Sequence, residues 1–455
     1  MIPAWPRCTL VVALSGGVDS VVLLHALVQL RKTLPQRRAL RLRAVHVDHH
    51  LQSGSGEWRR QCARLSRSWR VAFKALDARI KLAAGMSLEA AARTARYALL
   101  GDDLRPGEYL LTAQHEDDQL ETVLLQLFRG GGVAGLAGMY ASGPLGQGRL
   151  LRPLLPLSRA QLLRYANLHK LQWSDDPSNA DPRFDRNFLR ARVLPALRER
   201  WPAAATTVSR SARHLADANW LIQHWAAVDL QALRRGEALD LAALCALQSP
   251  RQRAAVRRWL VERGCALPDE VHLGRVLTEL PSARADAMPL VRWPGGEVRR
   301  YRGLLVVVPP LPDAVVSLSW NWRRQPRLTL GPGLGTLWMR TSSAGCWSRS
   351  ELPQTFSVSF RAGGERVAQG SRHRKLKELL RSQGVLPWMR SRMPLVAAAQ
   401  QLWCVPGVWN RHSSAPSARQ ARLSIEWLDA PLWQLPQNGA RGPANSGADG
   451  AFLLP

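Results

Sequence analysis

The chain has 455 residues, and 63 Lys plus Arg against 34 Asp plus Glu leave a formal charge of +29 at pH 7. Its 46% hydrophobic content supports ordinary buried cores and excludes wholesale disorder, and the length suits about three domains at roughly 150 residues each. The charge favours a polyanionic partner, nucleic acid before an anionic membrane, although Lys occurs only at Lys32, Lys74, Lys81, Lys170, Lys375 and Lys377, so codon bias toward Arg accounts for part of it.

At the N-terminus, Arg7 and the apolar run 8–14 mimic a signal peptide. The run is too short, lacks a small-residue cleavage pattern and leads straight into Ser15-Gly16-Gly17. It reads instead as a strand entering a loop. No apolar run approaches a membrane span. The six cysteines (Cys8, Cys62, Cys245, Cys265, Cys346, Cys404) form neither a C-x-x-C pair nor a zinc-spaced cluster with His. A reduced, cytoplasmic protein is expected.

From 8 to about 128, strand candidates at 8–14, 42–47, 71–76 and 109–113 alternate with helix candidates at 19–30, 56–67 and 87–104, the last capped by Ser87. That alternation predicts an α/β fold with a doubly wound parallel sheet, whose ligands bind beyond the carboxyl ends of the strands. The loops after residues 14, 47 and 113 are where chemistry is expected. Next comes a helical region: Ser158 opens one segment, 187–200 forms another kinked at Pro195, and 206–233 makes a long helix. The segment 249–264 is punctuated by Ser249 as cap, Pro250 in the first turn and Gly264 as stop. Its Val256, Trp259 and Leu260 face inward, opposite Arg251, Arg258 and Glu262. Pro309-Pro310-Leu311-Pro312 reads as a linker, followed by strands at 315–322, 336–340 and 356–361 and a helix at 375–382 in a small α+β unit. The expected division is 1–204, a mostly helical 205–312, 313–428 and a disordered tail 429–455. There is no internal repeat.

The sharpest motif is Ser15-Gly16-Gly17-Val18-Asp19-Ser20 between a buried strand and a helix. Glycines admit an oxyanion to bare backbone, the helix N-terminus offers free N–H groups, and the serines add donors, so a phosphate site is implied. There is no Walker-type Lys. Asp19 would repel phosphates unless a divalent cation lies between them, which implies Mg²⁺. A second group, Gln114-His115-Glu116-Asp117-Asp118-Gln119-Leu120-Glu121, leaves a strand and enters a helix. Asp118 and Glu121 share a helical face and could hold an ammonium group, though acidic residues are also common in first turns for dipole reasons. Arg129-Gly130-Gly131-Gly132 follows, either as a flexible connection or as bare backbone for a nucleotide.

Ser15 to Ser20 resembles the SGGxDS loop of the N-type ATP pyrophosphatases, which cleave ATP between its α and β phosphates. The series continues through His46-Val47-Asp48-His49, Ser87-Leu88-Glu89-Ala90-Ala91-Ala92-Arg93 with Arg96-Tyr97, the His115 to Glu121 group, Arg152-Pro153, Asp176-Pro177-Ser178-Asn179 and Arg186-Asn187-Phe188-Leu189-Arg190. In this order it is similar to the tRNA(Ile)-lysidine synthase family, densely over about 9–200. Arg361, Gly364-Glu365, Lys375-Leu376-Lys377 and Pro387-Trp388 with Arg390 resemble that family's C-terminal domain. Gln114 stands where a second His is frequent, and His50 where Gly is often found.

The resemblance implies a ligase that attaches free L-lysine to the wobble cytidine of an isoleucine tRNA with a CAU anticodon, through an adenylated cytidine, releasing AMP and pyrophosphate. It implies ATP on Ser15, Gly16, Gly17, Val18, Asp19, Ser20 and Val47, Mg²⁺ on Asp19, and lysine on Asp118 and Glu121. Catalytic positions are Asp19, Arg93, His115, Asp118 and Glu121, with Arg96 beside Arg93 for phosphate or intermediate contacts. Contacts to tRNA are expected from Arg129, Gly131, Arg186, Arg190, Lys375, Lys377, Trp388 and Arg390; Trp388 also suits core packing. A homodimer is left open. Another adenylating tRNA modifier, such as a cytidine thiolase, would want paired cysteines. A non-catalytic nucleotide- and RNA-binding protein would not need Asp118 and Glu121.

Overall fold

A computed structural model describes residues 8–34, 40–50, 55–80, 88–174, 184–284, 287–308, 317–342, 345–369, 372–411 and 422–432. Ser87, the 176–179 block, the 309–312 linker and the tail beyond 432 lie outside them. Two compact units divide the chain at Leu221/Ile222.

In the first unit, β1 (Thr9–Ala13), β2 (Arg41–Asp48), β3 (Ala72–Asp77), β4 (Glu108–Leu111) and β6 (Gly148–Leu151) are parallel, and β5 (Ser142–Leu145) pairs antiparallel with β6 at the edge, in the order β3-β2-β1-β4-β6-β5. The helices α1 (Val18–Thr33), α2 (Ser55–Ser68) and α3 (Leu88–Asp103) connect the first four strands, and α4 (Glu116–Phe128) follows β4. The chain steps outward from β1 to β3, then returns to β4 on the other side of β1. This topological switch opens a crevice above β1 and β4, where ligands of such sheets bind.

The elements form where apolar side chains can be buried on both sheet faces. Leu10 and Val12 of β1 join Val21, Leu24 and Val28 of α1 in one core, while Val11 packs with Leu100, Leu104, Leu110 and Leu150 in another. α1 is apolar nearly all round because it lies between the sheet and α6 (Arg159–Leu168, after the short α5, Val133–Leu136), whose Leu162 and Ala166 enter the same core. Ser158 caps α6 as expected, its Oγ accepting from Gln161 N at 3.3 Å. The kink expected at Pro195 is a π-helical turn at Leu189–Val193, between helices Asp185–Phe188 and Leu194–Arg200. Leu194 N donates to Leu189 O, five residues back, just before the proline that cannot donate.

His25, 6% exposed, is enclosed between α1 and α6: Nδ1 lies 3.0 Å from the Tyr165 hydroxyl, and its ring meets those of Trp69 and His169. Burial, then the neighbouring His169 and Lys32, hold its pKa below the usual value. Burial does the same to His46 and His49. The folded state therefore binds fewer protons than the unfolded chain, so stability is lost as pH falls through the unfolded value of about 6.5. Melting temperature should drop between pH 7.5 and 5.5, and His25→Gln should flatten that dependence; equal slopes would rule the linkage out.

The second unit holds more sheet than a mostly helical middle region anticipates. Helices Leu241–Cys245, Ser249–Glu262 and Glu270–Ser282 pack on an antiparallel sheet of Arg234–Arg235, Ala238–Asp240, Leu304–Val308, Gly296–Tyr301 and Leu290–Trp293. Val256, Trp259 and Leu260 are buried as expected, and Gly264 ends its helix at φ +70°. The N-cap is Gln248, one residue before the expected Ser249. The strands expected further on are Ser317–Trp320, Gly335–Thr341 and Phe356–Phe360, within antiparallel sheets, and the expected helix is Leu376–Ser382. Trp320, Trp347 and Phe356 are fully buried there.

Candidate active site

The loop after β1 is held by its own serines and by its neighbours. Ser20 Oγ donates to Gly17 O (2.9 Å) and lies 3.1 Å from Ser15 Oγ, while the Ser15 N–H donates to Ser20 Oγ (3.2 Å). From β2, His46 Nδ1 lies 2.9 Å from Leu14 O; held neutral by burial, it donates its N–H there. Gly16 sits at φ +93°, and a Cβ there would stand 3.2 Å from the buried Cys62 Sγ, whose thiol burial pushes up to about 12. Gly17 is the N-cap of α1, leaving the first N–H groups of that helix facing the crevice. The loop can thus bind an oxyanion through backbone and hydroxyl donors alone. Val18 puts its side chain in the core, so only its backbone can serve a ligand. For Gly16→Ala we expect about 1–2 kcal/mol of destabilisation from the left-handed backbone, and weaker nucleotide binding, read by thermal melts and titration with ATP.

At the neighbouring strand end, His115 is the N-cap of α4, and its N–H donates to Asp118 Oδ2 at 3.1 Å. The imidazole, 2% exposed, has Nε2 at 3.6 Å from Asp19 Oδ2 and 3.4 Å from Asp118 Oδ2, so it bridges the two motifs. Burial would lower its pKa, but Asp19, Asp118 and Asp117 outweigh that and raise it. Asp117 is tied elsewhere, accepting from Arg159 N (2.8 Å) and pairing with Arg198. Gln119 clamps the glycine-rich turn, accepting from Met139 N at 2.7 Å.

Asp118 and Glu121 do share a face, and cations already sit on them. Arg190 contacts Asp118 Oδ1 at 2.8 Å and also Glu121, while Arg186 Nε lies 3.3 Å from Glu121 Oε2 and its Nη2 donates to Thr122 Oγ1 at 3.1 Å. The two arginines expected on tRNA are thus placed against the carboxylates expected on lysine. Burial raises the Glu121 pKa, opposed by Arg190. Ser15, Gly17, Asp19, Ser20, Val47, Arg93, Asp118, Arg186 and Arg190 line one cleft of about 450 Å³. Tyr97, Thr112 and His46 line it too; the sequence gave these no role, and only their position at strand ends or on the α3 face marks them. Asp19 Oδ1 is buried without a hydrogen-bond partner, an orphan acceptor that suits a divalent cation. Among the described residues, Asp48, His50 and Asp77 also bring ligand atoms within 4.8 Å of one another, with Arg59 on Asp77.

Arg129 pairs with exposed Asp185 (3.0 Å), and Gly131 N donates to Gln126 O at 2.7 Å, where a Cβ would crowd that carbonyl. In the second unit, Lys375 and Lys377 are exposed. Trp388 packs edge-on to Tyr301 (5.8 Å) with Arg299 over its ring at 5.0 Å. Arg390 donates from Nε to Val385 O (3.1 Å); burial lowers its pKa, as do Arg381, Arg361 and Arg302 nearby.

Comparison with known proteins finds three family profiles along the chain: a PP-loop domain over 5–197, the TilS substrate binding domain over 239–306 and the TilS substrate C-terminal domain over 356–427. The tRNA(Ile)-lysidine synthase of Methylococcus capsulatus is 39% identical over 433 residues, 93% of this chain and 97% of that protein. Those of Alkalilimnicola ehrlichii and Pseudomonas aeruginosa are 40% and 41% identical, over 90% and 91% of this chain and 92% of each relative. Among solved structures, a U34-tRNA thiolase from Methanococcus maripaludis aligns at TM-score 0.39 and 15% identity over 47% of this chain and 74% of that one.

Proposed function

The chain belongs to the tRNA(Ile)-lysidine synthase family, and from that premise we propose that it is the ligase joining free L-lysine to the wobble cytidine of the CAU-anticodon isoleucine tRNA, with ATP cleaved to AMP and pyrophosphate. The observation that carries this reading is that the Ser15–Ser20 loop and the Asp118–Glu121 pair meet in one cleft, bridged by His115. An oxyanion site and a cation site side by side suit a reaction that binds a polyphosphate and an amine together.

The C2 carbonyl oxygen of the cytidine attacks the α-phosphorus, and pyrophosphate leaves toward the loop, where backbone N–H groups, Ser15 and Ser20 accept its charge. Mg²⁺, held by Asp19 and the phosphates, would supply Lewis-acid neutralisation of that leaving group. The lysine ε-amine then attacks C2 and AMP departs. Asp118 and Glu121 hold the amino acid, with Arg190 sharing or yielding its place on them. The attacking amine must be neutral, and a carboxylate of this pair, or His115 once a cation at Asp19 has taken over its electrostatic partner, receives the proton.

Tests of the intermediate follow directly. With α-labelled ATP and isoleucine tRNA but no lysine, label should accumulate on the wobble cytidine. RNA that stays unlabelled while pyrophosphate is released would contradict the adenylated intermediate. The basic residues around Arg390, with Lys375 and Lys377, suit sequence-blind contact with tRNA phosphates. We keep 1–204, 205–312 and 313–428 as the functional divisions, and a cytoplasmic enzyme, which may be assayed as monomer or homodimer. No described helix is long and apolar enough to cross a membrane. A thiolase reading finds no support, since all six cysteines are free and none belongs to a group of three or more metal-ligating side chains among the described residues.

A further inference from the structure

Three guanidinium groups gather on one wall of this cleft without a carboxylate. Arg93 and Arg96 project from α3 three residues apart, with their guanidinium carbons 5.1 and 5.8 Å from the Tyr97 ring centre. Arg152, just after β6, is 3% exposed; Nη1 donates to Tyr140 O at 2.6 Å, and Nε is buried with no acceptor. The Tyr97 hydroxyl and the Thr112 hydroxyl are also buried without a partner. The interactions of Arg93 are with Tyr97 and the cations Arg96, Arg186 and Arg152. Burial alone would raise the Tyr97 pKa, but Arg152, Arg93 and Arg96 together lower it.

Gathering like charges in a partly desolvated wall is costly unless an anion joins them. The other two cleft arginines, Arg186 and Arg190, are already paired with Glu121 and Asp118. The Ser15–Ser20 loop accounts for the two phosphates that leave as pyrophosphate, not for the phosphate that stays on a nucleoside.

We propose that Arg93, Arg96 and Tyr97, backed by Arg152, form a second phosphate site in the cleft, taking the single phosphate carried by a nucleoside. That phosphate is either the α-phosphate of the adenylate or a phosphodiester of the anticodon loop. Arg93, Arg96 and the Tyr97 O–H touch it; Arg152 is a positioning residue that orients and acidifies the phenol. The proposal rests on the functional reading above.

The test uses the full chain and three probes by calorimetry: adenosine, AMP and isoleucine tRNA. Arg93→Gln should weaken AMP by about tenfold or more, the scale of a charge-assisted hydrogen bond, and Tyr97→Phe should weaken it less, with adenosine unchanged in both. Loss of tRNA affinity with AMP unchanged would still support the site and assign it to the RNA diester. Equal weakening of adenosine and AMP, or no change with either AMP or tRNA in variants that melt like the parent, would overturn it. For Arg152→Gln, the tyrosinate absorbance that Tyr97→Phe removes should titrate at higher pH; an unmoved midpoint removes Arg152 from the site. Should Arg152→Gln fail to fold, Tyr97→Phe carries the test. If lysine is not incorporated yet the AMP–adenosine split persists, the ligase reading fails and this site stands.

Discussion

Asp19→Ala abolishes pyrophosphate release and leaves tRNA affinity nearly intact. The orphan Asp19 Oδ1 is the acceptor through which a divalent cation would meet the phosphates, and Oδ2 faces His115. Lewis-acid stabilisation is worth several kcal/mol, so the rate should fall at least about 100-fold. The tRNA contacts expected in the second unit do not involve this side chain. A folded Asp19→Ala variant that loses tRNA binding would contradict the division between chemistry and sequence-blind affinity.

Glu121→Gln gives the second large effect: an apparent KM for lysine raised by about 10- to 100-fold, since hydrogen bonds to charged groups contribute roughly 1.5–3 kcal/mol each. Glu121 is 2% exposed, and the buried Arg190 and Arg186 contacts would be left with a neutral amide. Asp118→Asn should act in the same direction. Because burial raises the Glu121 pKa, the ionised form that binds an ammonium is lost at a higher pH than for an ordinary Glu. The KM for lysine should therefore climb as pH falls toward that raised value, while the KM for ATP changes less. A KM for lysine indifferent to both substitutions would place the amino acid elsewhere.

Much of the site was legible because its parts are local. The Ser15–Ser20 loop carries its own donors within six residues, and the His115 to Glu121 group reads as a strand-to-helix entry with two carboxylates on one face. The β1 run is apolar on both faces because both are covered, which is why it reads clearly as a central strand. The β5–β6 hairpin is four residues a side and has little periodicity to read. The sheet containing Leu304–Val308 depends on pairing with Ala238–Asp240 across a stretch of helices, which no window of sequence reveals.

The same limit explains the arginines. Arg186 and Arg190 read as polyanion contacts because a bare cation in sequence points to phosphate; only the fold shows carboxylates within reach, more than sixty residues away in sequence. Conversely, Arg152 and Tyr97 are unremarked in sequence because their significance is the absence of a carboxylate around them. That is a property of three-dimensional neighbours rather than of spacing.

The most direct measurement is incorporation of labelled lysine into RNA. With ATP and Mg²⁺, the full chain should attach lysine to the CAU-anticodon isoleucine tRNA at its wobble cytidine, and leave methionine tRNA of the same anticodon unlabelled. No incorporation under conditions where the isoleucine tRNA binds would contradict the ligase assignment.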